Sequence, residues 1–359
     1  MDSVELSRRN FLAAAAGAAA ALARPAITAR AALVAVALLV PGASRAGAAQ
    51  PANRTRLGID GTQFTVNGRP EFLLGISYYA GLGAPPTNLR RDLAEIKRDG
   101  FRWLRVWAVC DFFGSDVSAV DGAGRPREPY LGRLRALVDA CDRQGLVVDV
   151  TLARGSGAPP HLADLATLTT AVETVLGALK HHRNWYLDLA NERNVGDRRN
   201  VSMDELRQLR DRARALDPEL LVTASHGGDI SRDELREYLL TAKVDFVCPH
   251  RPRDPKSPAQ TEATTRALLA WMREIGRAVP VLYQEPLRRG YSDWQPTAED
   301  FTADLKGARA GGAAGWCFHN GGQRGTPDGQ PRRSFDLRRK RLFDQLDTDE
   351  RRFIAGLPR

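Results

Sequence analysis

Eight short apolar runs alternate with amphipathic stretches across residues 56–359, and that alternation constrains the fold more than any single motif. The runs cover 72–77, 102–108, 146–152, 185–190, 220–225, 244–248, 280–284 and 313–318, each the length of one strand. Between them, 89–98, 131–144, 165–181, 203–216, 233–241, 261–275 and 297–309 repeat their apolar residues at helical spacing. Thr87, Ser202 and Ser231 precede helices as caps, and Gly100 and Gly145 stop them. A hairpin comes first, in "RLGIDGTQFTVNGRP", with turns at Asp60-Gly61 and Asn67-Gly68. With no internal repeat or linker, this pattern predicts an α/β fold: a single (β/α)8 TIM barrel preceded by an N-terminal β-hairpin. A doubly wound open sheet would need a phosphate-binding glycine loop after an early strand. The stretch "GISYYAGLGAPP" has only Gly81-x-Gly83, too short and too Pro-rich for that role.

In such a barrel, functional groups stand at the C-terminal strand ends, whichever strand they come from. The fourth run, in "NWYLDLANERN", stops at Asn191-Glu192, and the seventh, in "PVLYQEP", stops at Glu285. Either glutamate alone reads most simply as a loop carboxylate. Both on strand ends, with an amide before the first, form a pair across one mouth. Glycoside hydrolysis needs such a pair, one carboxyl to protonate the leaving oxygen and one ionised to attack or to activate water.

These residues carry a resemblance. The hairpin "FTVNGRPEFLLGISYY", "WLRVWA", "YLDLANE", "YQEP" and "GWCFHNG" are similar, across nearly all of residues 57–353, to the (β/α)8 glycoside hydrolase clan that includes the family 5 cellulases and mannanases. The resemblance implies a retaining glycosidase acting on β-linked poly- or oligosaccharide, with Glu192 as acid/base and Glu285 as nucleophile. It implies that Asn191 bonds the sugar 2-hydroxyl, that Arg105 braces the nucleophile, that His250 belongs to the site and that Trp316 forms a stacking floor. Arg105 could instead pair with Asp149 or Asp188 at the core edge, and Trp316 could simply pack. Tyr78, Tyr79, Trp107, Tyr283, Tyr291 and Trp294 are further candidate sugar platforms. Three positions depart from the clan's pattern: Arg193 stands where Pro is usual, Pro252 where a Tyr contacts the nucleophile, and Thr151 where a His is common. Tyr283 or Tyr78 is the candidate to replace that missing Tyr. The departures leave the sugar specificity open.

Other classes fit less well. The formal charge is +9, but residues 1–50 hold five arginines against Asp2 and Glu5, and the remaining excess is spread out. No nucleic-acid partner is expected. A metal-dependent barrel hydrolase would want clustered His and Asp ligands, which "GISYYAG" lacks, so neither metal nor organic cofactor is expected. A non-catalytic carbohydrate-binding barrel is the alternative, although a degenerate site usually loses one carboxylate. Cys110, Cys248 and Cys317 fall in or just after core strands and Cys141 on a helix, which favours buried free thiols over disulfides. A monomer is the expectation.

The first 48 residues read as an export segment and 49–359 as the catalytic domain. "SRRNFL" places Arg8 and Arg9 before an Ala-rich run and resembles a twin-arginine signal, which implies the twin-arginine export machinery as a partner and a periplasmic or secreted location. The apolar runs at 11–23 and 31–40 are shorter than the roughly 18 residues of a membrane span, although an uncleaved anchor is the competing reading.

Overall fold

The computed structural model describes residues 54–111, 115–152, 161–195, 200–322 and 329–358; the stretch read above as an export segment lies outside them. A three-stranded antiparallel sheet opens the fold: β1 (Leu57–Asp60), β2 (Gln63–Val66) and β3 (Arg69–Glu71). Then come β4 (Leu73–Ser77), β5 (Trp103–Trp107), β6 (Val147–Thr151), β7 (Trp185–Asp188), β8 (Leu221–Thr223), β9 (Ser225–His226), β10 (Cys248–Pro249), β11 (Leu282–Tyr283) and β12 (Gly315–Phe318). Seven of these form a parallel sheet in the order β11-β12-β4-β5-β6-β7-β8. The fifth position is broken between β8 and β9, and β9 pairs in parallel with β10. Asp245 N–H to Val222 O (2.9 Å) and Leu282 N–H to Val247 O (2.9 Å) carry the circuit back to β11. The barrel closes.

The helices are α1 (Pro86–Arg98), α2 (Tyr130–Gln144), α3 (Leu165–Leu179), α4 (Met203–Leu216), α5 (Arg232–Glu237), α6 (Ser257–Ile275), α7 (Ala298–Gly311) and α8 (Thr348–Ala355). Their ends follow local chemistry. Ser202 and Glu205 form a reciprocal capping box at α4, as do Ser231 and Glu234 at α5. Gly145 ends α2 at φ 77°, where a side chain would be strained. Thr87 is not a cap, because α1 starts one residue earlier at Pro86, whose missing N–H costs nothing at a helix start. Among the described residues no helix is long and apolar enough to cross a membrane.

Side chains alternate along each strand between the helix layer and the barrel interior. Leu104, Val106, Val148, Val150 and Leu187 face the helices in the main core cluster. A second cluster fills the lower interior, including Leu73, Trp103, Val147, Tyr186, Phe246 and Leu282. Phe64 of the hairpin lies edge-on to Phe246 at 5.0 Å and plugs the barrel floor. Gly75 makes room for Trp103, since a Cβ there would sit 1.6 Å from the indole. The strand register sets Arg105 beside Asp149 and Thr151 beside Asp188, one layer above this apolar floor. The interior is therefore apolar below and polar toward the mouth. All four cysteines are buried and free: Cys248 and Cys317 line the interior, Cys141 sits on α2 and Cys110 follows β5. Burial raises every one of these thiols.

Candidate active site

Arg105 anchors the mouth. It is fully buried, and its Nε donates to Asp149 Oδ2 (3.1 Å) and Thr151 Oγ1 (3.2 Å). Its Nη2 donates to Asp188 Oδ2 (3.0 Å) and Asn191 Oδ1 (3.0 Å), and its Nη1 to Glu285 Oε1. The two alternatives for this arginine are thus both realised: it pairs with Asp149 and Asp188 and braces Glu285. Asn191 has its oxygen turned to Arg105, which leaves the Nδ2 hydrogens as the amide's remaining donors.

Glu285 is bonded on its other side as well. Arg253 Nη2 donates to its Oε2 at 2.7 Å and lies 3.6 Å from Glu192 Oε1. Burial on its own raises the Glu285 carboxyl. The positive surroundings from His250, His319, Arg105 and Arg253 outweigh burial and hold it well below the usual carboxylate range. Burial drives His319 toward its neutral form, and Arg105 and Arg253 are the two guanidiniums bonded directly to Glu285. Arg253 was not legible as a site residue; it takes the place for which Tyr283 and Tyr78 were candidates.

Glu192 stands at a kink. Its backbone has φ 43°, a left-handed conformation uncommon for a side-chain-bearing residue and found preferentially at functional positions. Ser225 Oγ accepts its N–H at 2.9 Å, and Ser225 O accepts that of Arg193 at 3.0 Å, which fixes the turn. His250 Nδ1 lies 3.1 Å from Glu192 Oε1 and its Nε2 3.3 Å from Gln284 Oε1. Gln284 Nε2 donates to Asp149 Oδ2 at 2.7 Å, so the amide oxygen is the atom that faces His250, and His250 Nε2 must donate. One proton then lies between His250 Nδ1 and Glu192. Burial raises the Glu192 carboxyl, but the hydrogen bond and charge of His250, helped by Arg253, bring it below its ordinary value.

One ligand atom from each of Glu192, His250 and Glu285 lies within 4.8 Å of the others. These three atoms could converge on a cation. Two guanidiniums already bonded to Glu285 oppose that, since any cation there meets Arg105 and Arg253 at close range.

Two expected site residues lie elsewhere. Trp316 is fully buried on the helix side of β12, edge-on to Phe353 at 5.6 Å, with Nε1 donating to Asp304 of α7 at 2.6 Å. Tyr283 likewise points outward, its hydroxyl 2.7 Å from Thr265 Oγ1 of α6. Neither can touch a sugar in the mouth. Tyr78 also turns to the helices and donates to Asp92 at 2.9 Å, and Trp294 packs half-buried against the main core cluster. The aromatic wall is made instead by Tyr79, Trp107 and Phe335, with Tyr79 4.3 Å from Trp107, 5.5 Å from Phe335 and under the Arg105 guanidinium at 5.6 Å. Tyr291 stacks on both Arg253 (4.8 Å) and Arg288 (4.7 Å). His319 Nε2 lies 3.5 Å from Glu285 Oε2. It is the inward neighbour that the parity of β12 places opposite to Trp316.

No protein-family model matches the sequence, and no curated protein is significantly similar to it. Solved structures are similar in fold. A glycoside hydrolase family 5 protein from Bacteroides vulgatus aligns with a TM-score of 0.62 at 15% identity, over 82% of this chain and 68% of that one. An endo-1,4-beta-mannanase from Rhizomucor miehei aligns at 0.56 and 14% identity, over 73% and 89% of the two chains. A beta-1,4-D-mannanase from Cryptopygus antarcticus gives 0.55 and 13%, over 77% and 91%. At these identities the likeness is one of architecture: this chain is a (β/α)8 barrel of the kind that carries the family 5 glycoside hydrolases.

Proposed function

We propose that the protein is a retaining glycoside hydrolase that cleaves β-glycosidic bonds of a poly- or oligosaccharide, with Glu285 as nucleophile and Glu192 as acid/base. One observation carries this reading: two carboxyl groups with oxygens within 4.8 Å of each other, one bonded by two arginines and the other 3.1 Å from His250 Nδ1. That closeness supports retention, for which carboxyl groups about 5–5.5 Å apart are typical, against about 6.5–9.5 Å for inversion.

In the first step Glu285 attacks the anomeric carbon while the bond to the leaving oxygen breaks and Glu192 protonates that oxygen. The proton reaches Glu192 across its 3.1 Å bond to His250. A sugar covering the mouth removes water, which disfavours the separated charges and favours the neutral pair. In the second step Glu192 takes a proton from water, water attacks the anomeric carbon and Glu285 departs. The Asn191 amide, with its oxygen turned to Arg105, would donate from Nδ2 to the 2-hydroxyl.

Glu192→Ala should cut hydrolysis of substrates with poor leaving groups by about 10²–10⁴-fold, the usual contribution of general acid catalysis. Aryl glycosides should lose far less in the first step, and azide should restore turnover with a product of retained configuration. A panel of β-glucan, mannan, xylan and galactan identifies the polymer. A variant as active as the parent on every substrate sinks the assignment, and binding without cleavage by the parent favours the non-catalytic barrel.

We also propose export by the twin-arginine route, on the strength of Arg8-Arg9 before the apolar run. Changing both to Lys should strand the precursor in the cytoplasm; undiminished export on cell fractionation refutes it.

A further inference from the structure

Among the described residues of the mouth, one of the three arginines beside Glu285 forms no ion pair with a carboxylate. Arg105 is bonded to Asp149, Asp188 and Glu285, and Arg253 to Glu285. Arg288, three residues past Glu285, ion-pairs with no carboxylate among the described residues. Its Nη1 faces His319 Nε2 at 3.4 Å, and its Nε is buried with no acceptor. The rings of Tyr291 (4.7 Å) and Phe335 (5.0 Å) clasp the guanidinium. Burial and the neighbouring Arg253 push Arg288 down to about 10, still charged at neutral pH. Taking a guanidinium out of water without a counter-charge is costly.

The groups around Arg288 share its polarity. Because an arginine can only donate, His319 Nε2 must accept from it, so the His319 proton is on Nδ1, which is buried without a partner. Tyr79 Oη and Arg253 Nε are also buried and unbonded. Among the described residues, every orphaned polar atom of the mouth can donate, and none is a pure acceptor. Hydroxyl groups of a neutral sugar can satisfy donors but cannot balance the charge.

We infer that the substrate is an anionic glycan whose sugar beside Glu285 is a hexuronic acid, with its carboxylate received by Arg288. This rests on the glycosidase reading above. The guanidinium is held between two rings, and its planar fork suits a planar carboxylate better than a tetrahedral sulfate. The uronate supplies the acceptor oxygens and the charge that Arg288 lacks.

The test uses the whole protein with 4-nitrophenyl β-glucuronide, β-galacturonide and β-mannuronide beside the matching neutral hexosides, uronamides and 6-sulfated hexosides. At least one uronide should be cleaved with kcat/KM about 10-fold or more above its hexoside and uronamide. Arg288→Met should lower the ratio of uronide to hexoside turnover by about 10- to 100-fold, the scale of a lost charge-assisted hydrogen bond, and Arg288→Lys should recover part of it. If the Met variant does not fold, the comparison of acid with amide in the parent decides alone. Cleavage of hexosides with no gain for any uronide overturns the inference and leaves the glycosidase reading standing. A preference for the sulfated series overturns the carboxylate assignment. With no substrate cleaved, calorimetric binding of free uronate that Arg288→Met abolishes supports the anion site while the glycosidase reading falls. Absence of both cleavage and binding overturns the two together.

Discussion

Arg105→Met should cost the protein about 3–5 kcal/mol of stability, the range seen when one member of a buried ion pair is removed. The Met side chain fills similar space but leaves Asp149, Asp188 and Glu285 gathered in the barrel without the cation that bridges them. Asp149 would keep its bonds from Tyr186, Gln284 and Thr151, so it is not stripped of donors. The repulsion among the three carboxylates is then opposed at close range, within the described residues, only by Arg253 on Glu285. Set against a total of about 5–15 kcal/mol for a typical domain, such a loss is a large fraction of the whole. Arg105→Lys keeps the charge but cannot fork to several acceptors, so it should fall between. Denaturant unfolding followed by circular dichroism measures both. A Met variant with an unchanged midpoint would show that this network contributes nothing to the fold.

The second large effect falls on turnover. Glu285→Ala removes the proposed nucleophile, and poor and good leaving groups should fail together, by at least about 10⁴-fold, as when a nucleophile is deleted elsewhere. Any rescue by azide should yield the inverted glycosyl azide, because azide enters from the vacated face. If Glu285→Ala instead behaves as Glu192→Ala is expected to, the two roles are exchanged. The pH profile tests the electrostatics separately. Only ionised Glu285 can attack, and its folded-state value is depressed, so activity is present above that value and lost as pH falls through it. In the parent, kcat/KM should hold its plateau below the ordinary carboxylate value of about 4.3. An acid limb at or above that value contradicts the bracing by Arg105 and Arg253.

Much of this was readable in the chain because the governing signals are local. Ser202 three residues before Glu205, and Gly145 after an amphipathic run, mark helix ends wherever they occur. Glu192 and Glu285 were legible because a buried strand has little use for a carboxylate at its end. The misplacement of Tyr283 and Trp316 has a different origin. A barrel strand is buried on both faces, so its apolar run carries no alternation to set the phase. The phase was nevertheless encoded in the polar residues. Gln284 and His319 need partners found only inside the barrel, and their neighbours at odd spacing, Tyr283 and Trp316, must then face the helices. Arg253 and Arg288 could not be found this way. Both sit on loops, and their polar partners lie more than thirty positions away, Glu285 for Arg253 and His319 for Arg288.

The four sealed thiols give the protein a built-in gauge of its own opening. A thiol reacts as its thiolate, and burial opposes that form at Cys110, Cys141, Cys248 and Cys317 alike. An alkylating reagent therefore reads the frequency with which the structure around each sulfur comes apart. The four positions sample different depths. Cys141 reports on the helix layer, whereas Cys248 and Cys317 become reachable only when the barrel wall itself separates. The order in which they are modified distinguishes a loosened helix from a ruptured barrel, with no probe added to the sequence.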